Sequence, residues 1–221
     1  MYPDGIPTAP QLPVAPMPSP PTLRDRTALV VRGEISAVAM ELFFRQGYDN
    51  TTVDQIVAAA GISRTSFFRY FAAKEDIVLG RVDELGHQVL EALRARPAEE
   101  PVWQALRRAF EPLLELTAAS PERWLAVARM LNDSPSLKAG QLGRQLSWQD
   151  LLVPDIAQRL GIASDTLDPR PRALAAAAIA CLNAARDTWT APSATLDLPT
   201  LLDQAMNALT DNRVDSRTRA R

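Results

Sequence analysis

Four side chains within TTVDQIVAAAGISRTSFFRYFAAK, Thr51 to Lys74, have the types and spacing to read a DNA duplex. Arg64, Thr65, Phe68 and Arg69 fall at i, i+1, i+4 and i+5, one face of a short helix. Arginine presents two parallel N–H donors to guanine O6 and N7, and threonine or phenylalanine can touch a thymine methyl. The first residues of such a helix point at base edges, which makes Arg64 and Thr65 the predicted base readers. Ser66 and Arg69 are within reach of bases or phosphates. Phosphates would be clamped from the sides. The start of the preceding helix offers free N–H groups and the hydroxyls of Thr51 and Thr52. Tyr70 can pack its ring inward and turn its OH outward, and Lys74 adds a charge at the next helix start. Arg24, Arg26 and Arg32 could follow the backbone or a minor groove.

Each of these residues also has a plainer reading. Thr51 and Thr52 serve as helix caps whether or not they touch a phosphate. Phe68 could be core, as an aromatic at helical spacing usually is. Arg64 and Arg69 could be ordinary solvated charges.

Enzyme chemistry finds no support. His87 is the one histidine and Cys181 the one cysteine, so a Ser-His-Asp or Cys-His arrangement would have to use His87. A zinc site lacks nitrogen and sulfur ligands. No phosphate-cradling glycine loop, nucleophile elbow or H-E-x-x-H pattern occurs. Neither a catalytic role nor a cofactor is expected. Cys181 reads as a small buried hydrophobe.

Elements must hold the reading face in place. Ile35, Val38, Ala39, Leu42 and Phe43 mark a helix from about Thr27 to Gln46, and Gly47 ends it. Thr52 and Gln55 form a T-x-x-Q capping box for helix two, whose buried stripe is Val53, Ile56, Val57 and Ala60. Gly61 supplies the turn, Ile62 plugs it, and Ser63 caps helix three, about Arg64 to Phe71. Phe67 and Phe71 face inward. Helix four runs from near Ala73 to about Arg96, with Glu75 and Asp76 in its first turn.

Leu42-Phe43 through Gly47-Tyr48, Thr51-Thr52-Val53, Ile56, Ala60 to Ser63, Phe68, Tyr70-Phe71, Lys74-Glu75 and Ile77 resemble the N-terminal signature of the TetR (tetracycline-repressor) family, in order and without gaps over about Leu29 to Leu79. Two departures stand out. Thr65-Ser66-Phe67-Phe68 replaces the frequent Gly-Thr-Leu-Tyr, which alters the groove surface. Ala73 replaces a common Ser or Asn cap, which predicts slight fraying at the start of helix four. The resemblance implies an all-α homodimer. Two helix-turn-helix heads would dock in successive major grooves of a near-palindromic operator, and a small effector would shift their separation through helix four.

Beyond Pro97 the sequence predicts helices at about Val102–Ala119, Pro121–Asn132, Leu137–Gly161, Arg170–Trp189 and Pro199–Asn212, about nine in all. Pro112 and Pro154 are expected to kink or break theirs. Trp103, Phe110, Leu114, Trp124, Val127, Met130, Trp148 and Leu152 are candidate walls of an apolar pocket; an ordinary core with no cavity fits the same periodicity. Arg129 and Arg144 could anchor an acidic head group or make structural ion pairs. In the alanine-rich run after Arg172, Leu174, Ala178, Cys181 and Leu182 are expected to join Leu202, Met206 and Leu209 of the last helix in an intersubunit four-helix bundle. A helix pair buried inside one subunit is the other reading. From Arg123-Trp124 through Pro135-Ser136-Leu137 and Trp148 to Trp189, the order of residues is similar to the C-terminal domain of mycofactocin-type TetR regulators. That implies an acyl-thioester or another hydrophobic effector.

Composition sets the outer limits. The formal net charge is −2, so any nucleic-acid contact must be local; residues 23–74 carry seven Lys or Arg against five Asp or Glu. One cysteine, no apolar run long enough to span a membrane and no signal-peptide pattern predict a cytoplasmic protein. The expected layout is a proline-rich disordered tail at 1–22, with eight of the 18 prolines, a DNA-binding domain at 28–88, a ligand-binding and dimerisation domain at 89–212 and a frayed tail at 213–221. The sequence therefore predicts a ligand-responsive transcriptional regulator, more often repressor than activator. The competing reading is an all-α ligand- or partner-binding protein whose helix-turn-helix no longer binds DNA.

Overall fold

The computed structural model describes residues 22–163, 166–191 and 193–210. Ten α-helices make up the regular structure of these residues, and no strand occurs among them. They are α1 Leu23–Gln46, α2 Val53–Ala60, α3 Arg64–Tyr70, α4 Glu75–Arg94, α5 Val102–Ala109, α6 Glu111–Ala119, α7 Pro121–Asp133, α8 Pro135–Arg159, α9 Arg170–Thr190 and α10 Leu198–Ala208. The expectations for 1–21 and 213–221 lie outside the described residues. The Thr22 carbonyl accepts from Arg26 N at 3.0 Å, so the first helix begins earlier than the sequence suggested.

The count rises from nine to ten because the expected helix over 102–119 divides at Phe110. Pro112 lacks an N–H and suits only a helix's first turn, so it starts a new helix. Pro154 behaves differently from expectation: α8 runs through it unbroken from Pro135 to Arg159. Pro154 is exposed, so water can satisfy the carbonyl that its missing N–H leaves open. Prolines open α7, α8, α9 and α10 as well, at Pro121, Pro135, Pro171 and Pro199.

Two hydrophobic cores form. The head core joins Ile35, Phe43, Ile56, Phe67, Phe71 and Ile77, and it also takes in Leu131 of α7 and Leu137 of α8. The body core joins Val89, Leu93, Leu106, Phe110, Leu152, Ile156, Ile179 and Leu202. Val82 of α4 packs against both. A second tie runs through the α7–α8 corner, where the buried Ser134 hydroxyl donates to Asp49 Oδ1 at 2.8 Å.

The longest interface pairs α4 with α8, and two glycines let the helices close up. A Cβ on Gly86 of α4 would lie 2.4 Å from Trp148 Nε1, and one on Gly140 of α8 would lie 2.3 Å from Leu79 Cδ1. Helix four is thus clasped to the body at both ends of its contact.

Candidate nucleic-acid interface and buried cavity

The reading helix stands where local chemistry puts it. Thr52 caps α2 by accepting from Gln55 N at 3.2 Å, while Gln55 Oε1 accepts from Thr52 N at 2.9 Å. Gly61 takes the left-handed conformation, φ 66°, that the turn demands. Ser63 then caps α3 by accepting from Ser66 N at 3.1 Å. Phe67 and Phe71 are buried in the head core and stack at 5.4 Å.

The opposite face is open. Arg64, Thr65, Phe68 and Arg69 are all exposed, and Phe68 stands 46% accessible. Of the two readings of Phe68, the solvent-facing one holds. Arg64 is not idle: its Nη1 donates to Asp54 Oδ1 and Oδ2 at 2.8 and 3.0 Å. That pair is exposed on both sides, so parting it costs about 0.2–1 kcal/mol. Arg69 stacks on the Tyr70 ring at 4.9 Å and donates to the Tyr70 hydroxyl at 3.1 Å. Tyr70 packs its ring partly into the head core, as expected. Ser66 is half-buried, and its hydroxyl accepts from that of Ser63 at 3.0 Å.

Three residues expected at the phosphates hold the scaffold instead. Thr51 is buried, and its hydroxyl donates to Gly47 O at 2.8 Å and accepts from Gln46 Nε2 at 3.2 Å. Its side chain is therefore committed inward. Lys74 donates to the carbonyls of Tyr48 and Thr51, both at 2.9 Å, and lies 4.1 Å from the Tyr48 ring centre. Charge-assisted bonds to two carbonyls clamp the α1–α2 loop against the start of α4. Arg32 donates to Tyr70 O at 2.9 Å and lies 4.7 Å over Phe71, so it anchors the end of α3. Thr52 remains exposed at the α2 N-terminus. The cap missing at Ala73 is replaced from within: Asp76 Oδ2 accepts from Ala73 N at 3.0 Å.

A cavity of about 110 Å³ lies where the body meets the head core. Trp124, Val127 and Trp148, three of the expected pocket residues, line it. The other five lie elsewhere. Phe110, Leu114 and Leu152 are buried in the body core, Trp103 packs against that core, and Met130 packs against the head core. Sequence reasoning missed Met40 of α1 and Val78 of α4, both buried in the head core and both lining the cavity. It also missed Gln141 and Arg186 in the wall. No local pattern marks such residues, because a cavity wall is assembled from distant helices. Of the two arginines weighed as anchors, Arg144 pairs with Asp83 at 2.6 Å and Asp76 at 3.8 Å. Arg129 reaches only the Thr190 carbonyl, at 3.4 Å.

Most of the expected interface residues turn inward within one chain. Ala178, Cys181, Leu182, Leu202 and Met206 are buried, because α9 and α10 pack on each other and on the body core. Leu182 also lines the cavity, and burial pushes the Cys181 thiol pKa up. Leu174 is half-buried and only Leu209 is open, at 61% accessible. The outer face of α9 is built of Ala173, Ala177, Ala180 and Ala184, at helical spacing.

Comparison with known proteins agrees with this geometry. Residues 35–80 match the model of the bacterial regulatory proteins of the tetR family, and residues 100–213 match the MftR C-terminal domain. The chain is 36% identical over 165 residues to the HTH-type transcriptional regulator TcmR of Streptomyces glaucescens, covering 72% of this chain and 73% of that one. It is 28% identical over 155 residues to a proposed mycofactocin biosynthesis regulator, MftR of Mycobacterium tuberculosis, covering 70% and 77%. Among solved structures it resembles Thermus thermophilus FadR, a TetR-family repressor in complex with lauroyl-CoA. The TM-score is 0.59 at 25% identity, covering 86% of this chain and 98% of that one. The chain belongs to the TetR family of DNA-binding transcriptional regulators, with an MftR-type C-terminal domain.

Proposed function

We propose that this protein is a cytoplasmic repressor that binds a near-palindromic operator as a homodimer and releases it when a small hydrophobic effector enters the body cavity. One observation carries the reading: α3 turns Arg64, Thr65, Phe68 and Arg69 outward while Phe67 and Phe71 anchor it from behind. Arg64 and Thr65 read base edges, and the α2 N-terminus at Thr52 meets a phosphate. The outer alanine face of α9 suits close helix approach across the dimer axis. A catalytic role gains no support from the relatives, which are regulators.

The cavity's position supports effector control. It lies at the joint, walled by Met40 and Val78 from the head core and by Trp124 and Trp148 from the body. A cavity of roughly 150 Å³ holds a benzene ring, so an effector larger than one ring fills this one and either extends through its open side or pushes its walls apart. Val78, Val82 and Leu85 make α4 one of those walls. Clasped to α8 at Gly86 and Gly140, α4 has no slack to absorb the push locally, and the head must follow. The lauroyl-CoA of the FadR relative supports a hydrocarbon chain as the part of the effector that the cavity takes.

Selection of bound duplexes from a random pool, followed by anisotropy on the selected duplex, tests the reading. Wild-type affinity should fall steeply as salt rises. Arg64→Ala should weaken binding by about 1–3 kcal/mol and relax one base pair per half-site. A mutant that discriminates like wild type would remove Arg64 as a base reader. No sequence enrichment and no salt dependence would favour the ligand- or partner-binding protein with a silent helix-turn-helix.

A further inference from the structure

Three guanidinium groups line the cavity, and no carboxylate residue does. Arg144 is answered by two aspartates, Asp83 and Asp76. Arg81, on an exposed stretch of α4, makes no ion pair among the described residues. Arg186 is the unusual one. Its side chain is only 20% accessible, and its single carboxylate neighbour, Asp187, is 60% accessible and touches Nη2 alone, at 3.2 Å. Gln141 is buried with its amide against the same guanidinium, and with its oxygen turned that way it accepts from Nη2 at 3.0 Å. Arg186 Nε is sealed from solvent and has no acceptor. A buried donor without a partner costs about 1–3 kcal/mol, and more when it carries charge.

We infer that the effector is an apolar molecule ending in a carboxylate, and that this carboxylate docks on Arg186. The inference rests on the reading of the cavity as the effector site. The remaining walls are dominated by aliphatic and tryptophan side chains, including Trp124, Trp148 and Trp189, which suit a hydrocarbon or aryl body. A carboxylate against the part of the guanidinium that lines the cavity supplies the anion that the wall lacks. Arg186 lies on α9 and Met40 on α1, both in the cavity wall, so the inference orients the ligand: the acid end lies toward α9 and the apolar end toward the head.

The test uses the full-length protein with octanoate and its neutral counterpart methyl octanoate. Emission of the three cavity tryptophans and titration calorimetry report binding. Wild type should prefer octanoate by about tenfold or more, the scale of one charge-assisted hydrogen bond. Arg186→Met should bring the two probes to within about twofold, Arg186→Lys should retain part of the preference, and Arg81→Ala should leave it intact. Equal affinities of wild type for both probes would overturn the acid end and leave the cavity standing as an apolar effector site. Loss of the preference in Arg81→Ala but not in Arg186→Met would move the acid to the mouth and overturn the assignment. If neither probe binds, this inference fails, whereas operator binding by α3 is judged by its own assay. Should Arg186→Met misfold, the wild-type preference and the Arg186→Lys variant decide the matter.

Discussion

The head and the body are held together by different means. In the head, α2 and α3 each begin on a side-chain cap, Thr52 and Ser63, and each turn has a glycine where the backbone needs one. In the body, α5 to α8 begin with no side-chain cap, while Asp168 accepts from the first N–H of α9 and Asp197 caps α10. Of the buried side-chain polar atoms that lack a hydrogen bond among the described residues, Arg107 Nη1, Trp148 Nε1 and Arg186 Nε all lie in the body, against Tyr48 Oη in the head. The starts of α2 and α3 are specified by interactions three or four residues apart, and Arg32 and Lys74 tie them to α1 and the α1–α2 loop across longer separations. The body is specified by packing between distant helices, and that packing leaves donors waiting and space enclosed. A module that must present one shape to DNA differs in this way from one that must accept a guest.

The sharpest way to break the comparison is to place a charge on each side of α9. Ala178→Glu puts a carboxylate into the body core, where an unpaired buried charge costs about 3–5 kcal/mol. The body should unfold or lose most of its stability, seen as collapse of the thermal transition. Ala184→Glu, on the exposed face, should leave the fold intact and weaken the dimer in sedimentation. A folded Ala178→Glu would mean that the body core tolerates what packing forbids. A fully dimeric Ala184→Glu would place the subunit contact elsewhere.

A smaller effect tests the clasp between the two regions. Gly86→Ala puts a methyl against the rigid indole of Trp148, an overpacking that costs about 1–3 kcal/mol. The indole should be driven from its seat, with a shift in tryptophan emission and weaker operator binding in the absence of any effector. Gly143→Ala, on the facing helix α8 with open space around it, should instead stabilise by about 0.5–1 kcal/mol. Equal behaviour of the two variants would show that the close approach at Gly86 transmits nothing.

The same division explains what could be read in advance. The capping box, the Gly61 turn and the Phe67–Phe71 anchor are short-range patterns, and the sequence places the reading face correctly from them. Thr51, Arg32 and Lys74 make scaffold bonds that the sequence did not foretell, because a polar side chain near a helix end can serve either a phosphate or a carbonyl, and only the folded neighbours show the carbonyl. Periodicity marks Phe110, Leu152 and Trp148 alike as inward. Which of them meets another side chain and which meets a void depends on six other helices. Met40 belongs to the same inward stripe of α1 as Ile35 and Phe43, yet it borders the cavity because the α7–α8 corner leans on the head. The break at Phe110 follows from Pro112, whose expected kink or break the structure shows, whereas the exposed Pro154 leaves α8 continuous.

The smallest effect probes the local bonds at the start of α2. Thr52→Ala removes the hydroxyl that accepts from Gln55 N, and with it one half of the capping box. The expected loss is about 1 kcal/mol, typical of a Thr cap. Gln55 would still accept from the backbone N of residue 52 at its present 2.9 Å, and Gln46 would still bridge Gln55 to Thr51, so the turn should keep its course. Stability should therefore fall by about that amount and no more, while base discrimination by Arg64 and Thr65 stays as in wild type. On the proposed phosphate contact of the α2 N-terminus, operator affinity should drop equally for every sequence. A change in sequence preference would show that the cap, and not the glycine turn with its phenylalanine anchor, sets the register of α3 in the groove.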